Sequence, residues 1–372
     1  MIGRLVFKTF YNPVTLIVLT SFMTKQFIQP QKRFYIICFQ VLILVFFVQC
    51  KTNYQSMKHN IVIRQDQNKS KSMKFSKPPY LKKGDTIMIV APAGFVPDST
   101  EIDPGIELAK SWGLEVVLGK HVFNKHNHFA GTDEERAEDL QLALDNKNIK
   151  AIWCSRGGYG TVRIIDQIDF TAFKKSPKWV VGYSDITTLH SAIHNLGIAS
   201  IHATMPGGMK NASAEAKQTL YKALFGYGYG FEIQSNTLNK KGSGKGVLIG
   251  GNLSIINSMI GSNSEVNNYN KILFIEDVGE DLYRVDRMMY TLKRTGALKN
   301  LKGLIVGDFD YNVKKDTLFG GTHREIILNA VKEYSYPVIF DFPAGHVRDN
   351  RSLIFGKEIY IEVNDSISKI SY

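Results

Sequence analysis

Cysteine is scarce in this sequence: Cys38, Cys50 and Cys154 are the only three in 372 residues. None of them stands at C-x-x-C spacing, so neither a disulfide framework nor a zinc knuckle is supported. Ligand-spaced histidines are missing too. His190 and His194 are an i,i+4 pair, but no Glu follows His190 and no third ligand is indicated, so they read as helix residues. No metal is expected. The glycines form no G-x-G-x-x-G frame, and Lys241–Gly246 lacks the G-K-[ST] of a phosphate loop and reads as a flexible turn. No organic cofactor is expected, and no internal repeat is evident.

The chain also lacks charge where a nucleic-acid binder would need it. The net charge of +12 sits almost wholly in residues 1–80, whose balance is +11; residues 81–372 come to +1. A body this neutral, with no basic stripe, gives no phosphate footprint, so no nucleic-acid partner is expected. The basic leader holds two apolar runs, Val14 to Leu19 and Phe34 to Val48. The second is preceded by Lys32-Arg33 and followed by Cys50. Residues 1–50 therefore read as an export signal or membrane anchor, with lipid anchorage through Cys50. A membrane-anchored protein facing the periplasm or cell envelope is the expectation; translation from Met73 would instead give a cytoplasmic one. Residues 51–79, rich in Lys, Ser, Gln and Asn, read as a polar linker.

Beyond the linker, short apolar runs alternate with helical patterns. Thr86 to Ala91, Leu114 to Leu118 and Ile149 to Cys154 read as strands. Asp103-Pro104 reads as the start of one intervening helix, and Thr132-Asp133-Glu134-Glu135 as the capping box of the next. This rhythm predicts an α/β fold: a doubly wound, mostly parallel N-terminal sheet over residues 80–225, and a second, smaller mixed α/β domain over 240–365. Tyr227 to Gln234 reads as the connection between them. Ligands in such folds sit at the C-terminal ends of the strands. Arg156-Gly157-Gly158-Tyr159-Gly160 falls at one such end. It is either an ordinary glycine-rich turn or a nest of N–H groups for an anion.

Trp179-Val180-Val181-Gly182-Tyr183-Ser184-Asp185 puts a serine where a buried strand turns into a helix. A hydroxyl there can be a helix cap, or a nucleophile whose developing oxyanion meets N–H groups already in place. G-Y-S-D lacks the second glycine of G-x-S-x-G, so the stretch alone leaves both open. A nucleophilic serine needs an imidazole, and His346, in Pro343-Ala344-Gly345-His346 after an apolar strand, is the better placed. His121, His126 and His128 cluster in a loop that is either solvated or on the substrate side. Glu276 and Glu280 are the acids available to orient the base; the strand-end position favours Glu276.

Several stretches resemble the serine LD-carboxypeptidases, a family that includes murein tetrapeptide carboxypeptidases and microcin-C self-immunity peptidases. They are His128–Asp133 with Arg136, Ala151–Gly160, Val181–Thr187, His202, Gly250–Leu253, Phe274–Glu280 with Tyr283-Arg284 and Arg287, and Pro343–His346. The resemblance spans roughly residues 80–365. It implies Ser184 as nucleophile, Glu276 as acid and His346 as base, with oxyanion donors in the backbone N–H groups of Gly158 and Asp185. Arg156 and Tyr159 are the expected substrate-side residues, Arg156 as a clamp for a carboxylate or as packing against Asp185. The implied reaction removes the terminal D-alanine of murein tetrapeptides by cleaving an L,D-peptide bond. The alternatives are an immunity-type peptidase or amidase acting on aminoacyl-nucleotide conjugates, and a non-catalytic muropeptide-binding lipoprotein whose triad fails to assemble. The expected partner is a murein tetrapeptide or related small peptide; a homodimer is left open.

Overall fold

The computed structural model describes residues 75–310 and 319–372, which belong to one compact unit. It holds two sheets. The first combines β1 (Thr86–Val90), β2 (Glu115–Leu118), β3 (Ile149–Cys154), β4 (Trp179–Gly182) and β5 (Ser200–His202), all parallel. Its inner strands are near-continuous apolar runs because helices cover both faces. Side chains alternate accordingly: Ile87, Ile89, Trp153 and Val181 enter one core, while Met88, Val90, Ile152 and Val180 enter the other.

The second sheet contains β6 (Gly230–Gln234), β7 (Gly242–Asn252), β8 (Lys271–Val278), β9 (Gly303–Asp310), β10 (Val338–Ile339), β12 (Glu358–Val363) and β13 (Ile367–Ser371). β7 to β10 run parallel, and β12, β13 and β6 extend the sheet antiparallel. β11 (Leu353–Phe355) crosses back to pair antiparallel with β5 in the first sheet. The architecture is thus two α/β layers with largely parallel sheets, as the alternation predicts.

Three local readings change. Helix α1 (Ser99–Ser111) begins before Pro104, because Asp98 caps it by accepting from the Thr100 N–H at 2.9 Å. Pro104 lies inside the helix, where its missing N–H costs one backbone bond. Residues 230–234 of the expected connection form strand β6. Residues 242–246 of the expected turn at 241–246 are instead the first half of the eleven-residue strand β7. Its glycines answer to crowding: a Cβ at Gly244 would stand 1.9 Å from the Lys302 carbonyl oxygen, and one at Gly246 would stand 2.9 Å from that of Asn270. The helices that matter for the site are α2 (Asp133–Asp145), α3 (Thr187–Asn195) and α4 (Leu253–Ser258).

The membrane-anchored placement is corrected. Among the described residues no helix is long and apolar enough to cross a membrane. The longest, such as α1, have 13 residues, about 20 Å of helix against the roughly 30 Å of a hydrocarbon core. The runs Val14 to Leu19 and Phe34 to Val48, the linker to residue 74, and Cys50 lie outside the described residues.

Candidate active site

Ser184 leaves β4 with φ +63°, a left-handed conformation that is uncommon for any residue but glycine. The turn is tight because Gly182 lies under Ile186; a Cβ there would sit 2.9 Å from its side chain. A serine held this way at a strand-to-helix turn presents its hydroxyl outward, as a nucleophile elbow does. Caps seldom need such strain, and no side-chain cap bond is made at this turn.

Glu276 and His346 come from the other sheet. The register between β8 and β9 slips between Ile275 and Asp277, where β9 carries one extra residue. That bulge includes Gly307 and Asp308, and the Asp308 N–H donates to the Ala344 carbonyl at 2.9 Å, drawing the 343–346 loop over the strand end. Gly345, at φ +122°, lets the loop lie on Glu276; a Cβ would fall 3.1 Å from its Oε2. The buried Asn350 Oδ1 accepts from the Gly345 N–H at 3.0 Å.

These constraints line up three side chains. His346 Nδ1 is 2.7 Å from Glu276 Oε2, and its Nε2 is 3.1 Å from Ser184 Oγ. Glu276 is fully buried, and the imidazole keeps a 19% exposed edge. Burial disfavours the charged ring. The hydrogen bond and charge of Glu276, with Asp277 and Asp308 behind it, outweigh that and hold the pKa above the usual imidazole range. The reading that required these groups to stand apart has no support in this geometry. Glu280 instead faces Arg284 at 3.5 Å.

The glycine turn meets Ser184 from the first sheet. A Cβ at Gly157 would be 2.9 Å from Ser184 Cβ and 3.0 Å from its Oγ; Gly158 follows with φ +106°. Gly157→Ala is therefore expected to lower kcat/KM ~10-fold or more, since a displacement of about 1 Å at a reacting group has large effects. Kinetics paired with a melting curve would check it; unchanged turnover would mean the turn can yield.

Below the turn lies Arg136, buried, donating to the Pro92 and Gly160 carbonyls at 2.6 and 2.9 Å and pairing with Asp133. Its i,i+4 and i,i+8 spacing to Leu140 and Leu144 puts it on the buried face of α2, a signal that the motif match alone does not use. Asp185, also buried, accepts from the Thr161 N–H at 2.8 Å and so ties the far end of the turn to the serine. Burial pushes its carboxyl above the ordinary range, against the pull of the Thr161 bonds and Arg136.

Arg156 does not pack on Asp185. Its Nη1 donates to the Phe95 carbonyl at 3.1 Å and to Glu101 Oε1 at 3.2 Å, with the side chain 39% exposed. Tyr159 is exposed, its ring 5.8 Å from Phe129. His121 is held by Glu138 at 2.9 Å. His190 and His194 are both in α3; His190 spans Ser200 Oγ and the Gly182 carbonyl at 2.8 and 2.9 Å. Among the described residues no group of three His, Cys, Asp or Glu is placed to hold a metal ion. A surface cleft of about 360 Å³ lined by Lys83, Trp112, Lys217 and Tyr221 contains none of the site residues.

Comparison with known proteins identifies the family. The model of the LD-carboxypeptidase N-terminal domain matches residues 87–203, and that of the LD-carboxypeptidase C-terminal domain matches residues 245–361. A probable murein peptide carboxypeptidase of Bacillus subtilis is 37% identical over 277 residues, covering 73% of this chain and 86% of the relative. The crystal structure of muramoyltetrapeptide carboxypeptidase from Oxalobacter formigenes superposes with a TM-score of 0.70 at 30% identity, covering 77% of this chain and 97% of that one. An MccF-like protein from Bacillus anthracis shares the fold, with a TM-score of 0.70 at 21% identity over 80% of this chain and 100% of its own. On these matches the chain belongs to the LD-carboxypeptidase family and is an enzyme of carboxypeptidase type.

Proposed function

We propose that this enzyme acts on muropeptide-like substrates and, more finely, removes the terminal D-alanine of a murein tetrapeptide by cleaving an L,D-peptide bond. The observation that carries the reading is the hydrogen-bonded series Ser184–His346–Glu276, assembled from two sheets at 3.1 and 2.7 Å. The substrate class rests on the muropeptide relatives from Bacillus and Oxalobacter.

In this mechanism Glu276 accepts from Nδ1–H of His346, leaving Nε2 free to take a proton. Ser184 Oγ attacks the scissile carbonyl carbon as its proton passes to Nε2. The N–H groups of Gly158 and Asp185 meet the oxyanion. The imidazolium then gives its proton to the leaving D-alanine nitrogen, and the C–N bond breaks to leave an ester on Ser184. Water, deprotonated by His346, hydrolyses that ester and restores the serine. Arg156, oriented through Nη1 by Glu101, offers its remaining N–H groups to the terminal carboxylate. Incubation with purified tetrapeptide should yield tripeptide and free alanine by mass analysis; an intact tetrapeptide with a folded enzyme would overturn the substrate assignment.

A second reading, an immunity-type peptidase or amidase on aminoacyl-nucleotide conjugates, is favoured by the exposed Tyr159 ring beside Phe129 at the glycine turn. Such a wall can stack on a flat base. Turnover of an aminoacyl-nucleotide conjugate in the same assay, with tetrapeptide untouched, would select it.

A further inference from the structure

The two sheets bring the serine and its proposed partners together, so something must fix the distance between them. We infer that Asp277 is a positioning residue which, through Asn252 and Thr187, locks the helix following Ser184 to the strand carrying Glu276. The inference rests on the proposed roles of Ser184, His346 and Glu276.

Asp277 follows Glu276 in β8 and, by strand alternation, points to the opposite face. It is 2% exposed, yet no cation pairs with it among the described residues. Its Oδ1 accepts from Asn252 Nδ2 and from the Val278 N–H, both at 2.9 Å, and its Oδ2 accepts from the Ser254 N–H, also at 2.9 Å. Three convergent donors suit a carboxylate and would leave a carboxamide with at least one donor facing another donor. Asn252 is fixed in turn: its Oδ1 caps α4 at the Ile255 N–H, 3.2 Å away, and accepts from Ser254 Oγ at 2.7 Å.

Across the gap between the sheets, the Asn252 N–H donates to Thr187 Oγ1 at 3.0 Å. Thr187 is the first residue of α3, three positions after Ser184, and is fully buried. The backbone comes this close because Gly251 precedes Asn252; a Cβ there would stand 2.4 Å from Thr187 Oγ1. This contact is short, buried and directional, and it joins the nucleophile's helix to the acid's strand. A shift there moves Ser184 relative to Glu276 and the His346 that it holds.

The test uses the full chain, tetrapeptide turnover, and the variants Asp277→Asn, Thr187→Val, Thr187→Ser and Asp277→Asn/Thr187→Val, with Ser184→Ala alongside. Asp277→Asn and Thr187→Val should each lower kcat ~10-fold or more with KM within about twofold. Thr187→Ser, which keeps the acceptor oxygen, should retain kcat near the parental value. The double variant should be no worse than the poorer single one, because both break the same linkage. Should Asp277→Asn fail to fold, the Thr187 pair alone decides. Parental kcat in Thr187→Val, equal loss in Thr187→Ser, or additive losses would overturn the inference while an inactive Ser184→Ala left the triad standing. Activity in Ser184→Ala would remove the triad reading, and this inference with it.

Discussion

Ser184→Ala is expected to lower kcat by at least ~10³-fold while leaving the fold intact, in line with deletions in other triads. The substitution removes the Oγ that lies 3.1 Å from His346 Nε2. It creates little cavity, because the side chain lies at a turn rather than in the core. The left-handed φ of +63° is no easier for alanine, so the turn keeps its strain without a function to justify it. Thermal melting should therefore stay within a few degrees of the parent while product formation collapses. Near-parental turnover in a folded variant would remove the serine mechanism.

Glu276→Gln carries the second large effect, a loss of roughly 10²–10⁴-fold in kcat/KM. The carboxamide can present its NH₂ group to Nδ1, which favours the imidazole tautomer with its proton on the wrong nitrogen. The pH profile should move as well. A general base must be neutral, so activity falls as pH drops through the imidazole pKa. Burial lowers that pKa, and Glu276 more than offsets it. Removing the carboxylate should shift the acid limb of kcat/KM to lower pH even as the plateau falls. Glu280→Gln, whose carboxylate sits 3.5 Å from Arg284, should leave that limb in place. A profile that moves in Glu280→Gln and not in Glu276→Gln would reverse the assignment.

The parts of the site legible in the sequence are those whose local pattern has one physical meaning. Three apolar residues before Gly182 can hardly avoid being a buried strand, so Ser184 falls at its end. The capping box at Thr132 and Glu135 forms as its spacing requires, with both reciprocal bonds present. Local pattern fails where the cause lies in another strand. The glycines at 244 and 246 look like a turn, yet they are there because the Lys302 and Asn270 carbonyls press against β7. The bulge opposite Glu276 comes from β9, which a reading of Phe274–Glu280 does not include. Nothing local marks Asp277 within Phe274–Glu280, because its partners Asn252 and Ser254 arrive from a different strand and helix. The apolar runs of the leader, read as an anchor, lie outside the described residues, among which no helix is long and apolar enough to cross a membrane.

The most direct measurement is peptide mapping by mass spectrometry after reaction with a fluorophosphonate. The account predicts one adduct, on Ser184, formed rapidly in the parent and slowed by ~10²-fold or more in His346→Ala and Glu276→Gln. An adduct on another residue, or labelling of Ser184 at the parental rate in both variants, would contradict it.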